Sequence, residues 1–303
     1  MYSFSWCGPS RSSLLSGRTP PRVDDVYLNE NFEEKDGMDP YNTVGNGIPA
    51  AVTTIGTKMK ELDYHTAYVG KWGAGFTWME QAPKARGFNE FYGYLQDSVS
   101  FWDTTRDLDS VSTPSGCELL EYNDCLDIYE KTNEKQGECN MFGKTPNGNS
   151  FTQDLWRYRV LPEGEINGPA DHEVSLGWID YQFLDETLRI IDDYAKEGGP
   201  KDEGKPLFLM HAFHSVHTPL DPPDEIFDRY KNPHDPEDPA FKSHQSYLNP
   251  ARQSYAAMVH WVDEAVGQMV EKFKSYPSIE LHPEGSTMWD NTIMVMFLLG
   301  TPP

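Results

Sequence analysis

The residues best placed to do chemistry open the chain, in Cys7-Gly8-Pro9-Ser10-Arg11-Ser12-Ser13-Leu14-Leu15-Ser16-Gly17-Arg18. Pro9 has no backbone N–H and suits the first position of a helix, and Gly17 suits the other end. The run reads as a short helix with Cys7 at its N-terminus, where free N–H groups and the helix dipole favour a bound anion. Arg11, a turn further on, adds a fixed positive charge. An activated side chain at position 7 would therefore sit in an anion hole, the setting of nucleophilic catalysis with charge stabilisation.

Two further ionisable residues stand where strands end, positions that by themselves suit a surface lysine and a loop histidine. Lys71 follows the glycine turn of the β-rich run Tyr64-His65-Thr66-Ala67-Tyr68-Val69-Gly70 and precedes Trp72. His217 follows the apolar strand Lys205–Phe213, at the C-terminal end where open α/β sheets place their ligands. His211, His214 and His217 share a spacing of three, which does not converge on one point in an extended strand; this weakens a metal cluster. On spacing alone the three read as ordinary loop and strand histidines, His211 and His214 as structural. His65 lies at the far end of its strand from Lys71.

The elements that must position these residues can be read from periodicity. Apolar residues at helical spacing predict a helix over Ile48–Leu62, another over Trp178–Tyr194 and a long one over Gln253–Phe273. Lys205–Phe213 reads as a buried strand of a mostly parallel sheet, and Asn291–Phe297 as a final buried strand. Residues 97–168 are polar and punctuated by Gly and Pro, and read as a loop-rich insertion rather than a separate domain.

Composition bounds the partners. With 303 residues, 38% hydrophobic and 13% aromatic, the chain can fold as one large α/β domain or two small ones. A formal net charge of −23 argues against nucleic acid or an anionic membrane as partner, so any attraction for an anionic substrate must be local. No apolar run approaches the roughly 20 residues that span a bilayer, and the N-terminus shows no signal-peptide pattern. Cys117, Cys125 and Cys139 cluster in a polar region, where a disulfide of undetermined pairing fits a secreted chain. A zinc site among them lacks the usual CxxC knuckle.

Cys7, Pro9 and Arg11 with the Leu14-Leu15-Ser16-Gly17-Arg18 ending resemble the signature of the type I sulfatases, whose motif cysteine is oxidised to Cα-formylglycine (3-oxoalanine). Further matches follow in the family's order and cover nearly the whole chain. Tyr64–Gly75 resembles GYxTxxxGKWHxG, placing Lys71 on the sulfate-contacting lysine and Gly73 where the family has a histidine base. Arg86–Tyr94 resembles the RGFDxFxGY segment that packs beneath the site. Pro206–Leu220 is similar to the PLFLYLAxxSVHxPL run of arylsulfatase B-like enzymes, placing His217 on the histidine that protonates the leaving oxygen. Cys117 and Cys125 resemble a cysteine-bearing loop of the same enzymes.

The resemblance implies an alkaline-phosphatase-like α/β fold, a large mixed, mostly parallel sheet with helices on both faces. It implies hydrolysis of sulfate esters in a sulfated small molecule or sulfated glycan, after modification of Cys7 by the formylglycine-generating enzyme. Arg11 would hold the modified nucleophile, and a secretory location, lysosomal or extracellular, is implied. The family also uses calcium, held by an Asp pair before the cysteine motif and by an Asp-Asn-Gly after the final strand. Here Asp24-Asp25 follows the motif and reads as a solvated turn, and Asn291–Phe297 runs into Leu298-Leu299-Gly300-Thr301-Pro302-Pro303. Residues 1–303 are thus expected to be a catalytic domain incomplete at both ends. An inactive sulfatase-like protein and a phosphoesterase of the same superfold remain as rival readings, the second disfavoured by the cysteine motif.

Overall fold

The structure is a computed structural model that describes residues 7–19, 47–75, 79–95, 101, 105–107, 142–144, 150–153, 155–161, 164–169, 177–196, 205–231, 250–277 and 285–295. Asp24-Asp25 and Cys117, Cys125 and Cys139 lie outside the described residues.

Five strands form the main sheet, in the order β7-β6-β2-β1-β8. β1 (His65–Gly70) lies at its heart, parallel to β2 (Glu90–Gly93) on one side and to β8 (Leu207–Ala212) on the other. β6 (Trp156–Leu161) and β7 (Gly164–Pro169) extend it antiparallel beyond β2. The sheet is therefore mixed, with its three parallel strands grouped at one side. A second, three-stranded sheet is built from β3 (Thr105–Asp107), β5 (Ser150–Gln153) and β4 (Phe142–Lys144).

Alternation along the strands gives the sheet two apolar faces. Tyr68, Phe91, Phe208 and Met210 pack with Leu15 of α1 (Cys7–Ser16) and with Trp72 and Phe88. Ala67, Val69, Tyr92 and Leu209 pack on the other face, against α3 (Ile179–Lys196) and α5 (Pro250–Lys274) through Phe183, Ile190, Met258 and Trp261. α4 (Asp224–Lys231) joins that layer through Ile226. Helices thus cover both faces, which leaves the strand ends as the place for a site. No helix among the described residues is long and apolar enough to cross a membrane.

Three elements differ from expectation. α2 runs only over Ile55–Glu61, not from Ile48. Thr54 caps it by accepting from the Thr57 N–H at 3.3 Å, while the buried Arg86 guanidinium donates to the carbonyls of Ile48, Ala50 and Val52. Carbonyls claimed by Arg86 are not available to a helical ladder, so the apolar spacing of Ile48 and Val52 serves a packed loop. Within 97–168, the last part supplies β6 and β7 to the main sheet, where polar residues fit because an antiparallel ribbon can leave one face to solvent.

The final strand is the third correction. Met288–Asn291 forms a 3-10 turn with Thr287 and Asp290 as a reciprocal capping pair, and residues 292–295 follow with no regular structure. Ile293 is 91% exposed, so over its described part this apolar run does not meet a strand partner.

Behind the sheet, Glu90 is the hub of a buried ion network. It accepts from His65 Nε2 at 2.8 Å, Arg189 Nη2 at 2.9 Å and Arg159 Nε at 3.3 Å. Burial pushes the carboxyl up, but His65 and Arg189 outweigh it and hold it at about 2. A depressed carboxylate contributes stability that is present above its ordinary value of 4.5 and lost as pH falls toward about 2. Glu90→Ala is therefore expected to lower the unfolding free energy by about 1–3 kcal/mol at neutral pH, since it removes the shared acceptor of His65, Arg189 and Arg159, although the two arginines keep Glu186 and Asp193. Urea titrations should show that gap narrowing below pH 4.5; a gap that is small and constant with pH contradicts the network's role.

Candidate active site

α1 forms as its ends dictate. Cys7 begins it, Pro9 falls within its first turn, and Gly17 ends it with φ +67° while its N–H donates to the Ser13 carbonyl at 2.8 Å. The helix packs Leu15 into the apolar face beside β1 and aims its first turn at the C-terminal end of that strand.

At that strand end Gly70 is required. Its φ is +106°, and a Cβ there would fall 1.9 Å from the Ala212 carbonyl oxygen. The close approach lets the Lys71 N–H donate to that oxygen at 3.1 Å, and the next side chain turns toward α1. Lys71 Nζ lies 3.2 Å from Cys7 Sγ, although the lysine is only 1% exposed. Arg11 Nη1 donates to the Lys71 carbonyl at 2.9 Å, and the Tyr68 hydroxyl donates to the same oxygen at 2.6 Å. Arg11 thus contributes a buried positive charge and also clamps the backbone that presents Lys71.

The third piece is the loop after β8, the neighbour of β1. The buried Asp180 of α3 accepts from the His214 N–H at 2.8 Å, the Ser215 N–H at 2.9 Å and the Ser215 hydroxyl. Burial pushes its carboxyl up against these three bonds. The loop is therefore pinned to α3. His217 Nδ1 donates to the Thr218 carbonyl at 2.6 Å, which turns Nε2 outward as the position that can carry a transferable proton. The His217 ring lies 5.8 Å from that of His214.

Cys7, Arg11 and Lys71 are thus directly linked, and His217 joins them through His214, whose protonation burial, His217, Lys71 and Arg11 together hold well below the usual histidine range. His211 turns to α3 and bonds Thr187 Oγ1 at 2.7 Å, burial holding its ring at about 3. Both His211 and His65, the latter on Glu90, are structural, as expected from their positions. Gly73 has φ +56° and donates its N–H to the Leu95 carbonyl at 3.2 Å. Asp180 was not legible as a site residue, since it acts through His214 and Ser215, far away in sequence.

Calcium takes about six to eight oxygen ligands. The described residues around Cys7 offer cations and imidazoles, and Asp180 spends its oxygens on the His214–Ser215 loop. Among the described residues no group of three or more His, Cys, Asp or Glu side chains could hold a metal ion. The described residues do not fit calcium.

Comparison with known proteins shows the family. Mouse arylsulfatase J is 27% identical over 270 residues, covering 89% of this chain and 32% of the mouse protein. Arylsulfatase of Klebsiella aerogenes is 22% identical over 308 residues, covering 90% of this chain and 53% of the bacterial one. The crystal structure of Ps i-CgsB superposes with a TM-score of 0.52 at 22% identity, over 89% of this chain and 45% of that one. The chain therefore spans about a third to a half of the length of these relatives. The sulfatase family matches residues 1–279, and the chain belongs to that family.

Proposed function

We propose that the protein hydrolyses sulfate esters at residue 7. The observation that carries this reading is the 3.2 Å contact between Lys71 Nζ and Cys7 Sγ, with Arg11 buried on the Lys71 carbonyl. Two buried cations beside a helix N-terminus offer charge to a tetrahedral oxyanion, and the rest of the chain is strongly acidic. Cys7, Pro9 and Arg11 supply the recognition residues for conversion of Cys7 to formylglycine, whose hydrate provides a hydroxyl nucleophile for sulfur. Lys71 binds the sulfate oxygens, Arg11 holds the nucleophile's surroundings, and His217 gives its Nε2 proton to the departing alcohol.

The substrate class this reading favours is a sulfated glycan. Relatives carry the name N-acetylgalactosamine-6-sulfatase, and a fold relative was solved with k-i-k-neocarrahexaose. The formylglycine-generating enzyme is the partner it requires.

The site lacks a histidine at position 73, and this gives the reading a kinetic signature. A base at that position would take a proton from residue 7 as sulfate leaves, and general base catalysis contributes about 10²- to 10⁴-fold. Loss of the base slows the second half of the reaction while Lys71 and His217 keep the first. A full-length form that is active, co-expressed with the generating enzyme, is therefore expected to release a burst of nitrocatechol from 4-nitrocatechol sulfate, followed by a slow steady rate. Cys7→Ala should abolish both phases. Gly73→His should raise the steady rate and spare the burst; φ +56° suits a left-handed histidine at a cost of about 1 kcal/mol. Turnover that survives Cys7→Ala contradicts the function, and turnover without a burst, unchanged by Gly73→His, contradicts the assignment of the slow step.

A further inference from the structure

We propose that His214 is a sulfate ligand of this site, donating from its Nε2–H to an oxygen of the group held at residue 7. The proposal rests on the reading of Cys7 and Lys71 as the sulfate site, and it adds a residue whose sequence position marks it only as structural.

Placement is the first support. β1 and β8 are parallel neighbours with Gly70 opposite Ala212, so Lys71 and His214 leave adjacent strands at the same end of the sheet, one and two residues past the pairing. The backbone N–H of His214 is fixed by Asp180, and its ring is held by Phe101 at 4.1 Å and Tyr94 at 5.3 Å between centroids. It cannot turn aside without breaking packing.

Its hydrogen bonding is the second. His214 is 2% exposed; Nδ1 is bonded to the Tyr94 hydroxyl, and Nε2 is buried with no partner among the described residues. Arg11 Nε, close enough to depress the protonation of this ring, is buried and unpartnered in the same way. Each such atom costs about 1–3 kcal/mol; of the nine among the described residues, these two belong to groups that interact electrostatically with each other, His214 also interacting with Lys71, and an anion is the partner that would satisfy both.

The tautomer is part of the proposal, with the Tyr94 hydroxyl donating to Nδ1. A neutral imidazole carries one proton, and a tyrosine hydroxyl that donates to Nδ1 leaves that proton on Nε2. Burial first, and then the charges of His217, Lys71 and Arg11, keep the ring neutral, so it serves as a hydrogen-bond donor rather than a third charge. An N–H facing cations gains little by itself, but a sulfate oxygen between them turns it into a charge-assisted bond.

Calorimetric titration of the protein with sodium sulfate tests this without relying on turnover. Wild type should bind sulfate saturably, and Lys71→Met should lose it. His214→Ala should weaken binding about tenfold, the worth of one such bond. His214→Gln, whose amide reaches the Nε2 position, should recover most of it. Tyr94→Phe, which deletes only the hydroxyl that fixes the tautomer, should weaken it by less than His214→Ala. Sulfate affinity equal to wild type in His214→Ala and Tyr94→Phe, with Lys71→Met still deficient, overturns the role of His214 and leaves the site standing. His214→Gln as weak as His214→Ala overturns the donor role. No saturable binding by wild type overturns the site and His214 together.

Discussion

Lys71→Met is expected to lower turnover of 4-nitrocatechol sulfate by about 10²- to 10³-fold, the usual loss when a preorganised electrostatic contact to a transition state is removed. Lys71 is buried to 1% exposure with its ammonium on Cys7, so its charge acts at low dielectric and is positioned before substrate arrives. The same burial makes the charge costly to the fold. Methionine keeps the apolar stem and removes the ammonium, so the desolvation cost of the charge goes while the packing stays. Thermal melting of Lys71→Met should therefore show a midpoint equal to or above wild type while activity collapses. Turnover within threefold of wild type would remove Lys71 from the chemistry, and a large fall in melting temperature would mean that its role is structural.

His217→Gln should show a loss that depends on the leaving group. His217 is held by its Nδ1–H on the Thr218 carbonyl, so Nε2 alone can give a proton to the departing oxygen. General acid catalysis contributes about 10²- to 10⁴-fold when the leaving group is a poor one. An alkyl or sugar sulfate should therefore lose activity by that range, whereas an activated aryl sulfate, whose phenolate leaves without help, should lose about tenfold or less. An equal loss on both substrates would contradict the acid role and favour a role in binding.

Much of this site was legible because its signals are local. Pro9 and Gly17 mark the ends of α1, and Gly70 marks the strand end that delivers Lys71. β8 could be found from its apolar run, and its C-terminal end directs attention to His217. What could not be read are the long-range contacts. Arg86 takes the carbonyls of Ile48, Ala50 and Val52 and so shortens α2, and no window around residue 48 contains Arg86. Asp180 and Tyr94 reach His214 from sequence distances of 34 and 120 residues, which hides them as site residues and hides the buried imidazole they hold.

The two strands at the far edge of the sheet were hidden for another reason. β6 and β7 carry arginines and glutamates, including Arg157, Arg159 and Glu165, whose partners Glu186, Asp193 and Lys84 lie on other elements. Their polarity resembles that of a loop. At 291–297 the opposite happened: an apolar run suggested a buried strand, while the capping pair of Thr287 and Asp290 turns the chain just before it.

The most direct test of the account is the chemical state of residue 7. The protein should be co-expressed with a formylglycine-generating enzyme, digested, and the peptide containing Cys7 to Arg11 analysed by mass spectrometry after treatment with a hydrazine that captures aldehydes. The account predicts an aldehyde at residue 7, captured by the reagent and absent from Cys7→Ala. An unmodified cysteine thiol at that position, under conditions that convert a control sulfatase fully, would contradict it.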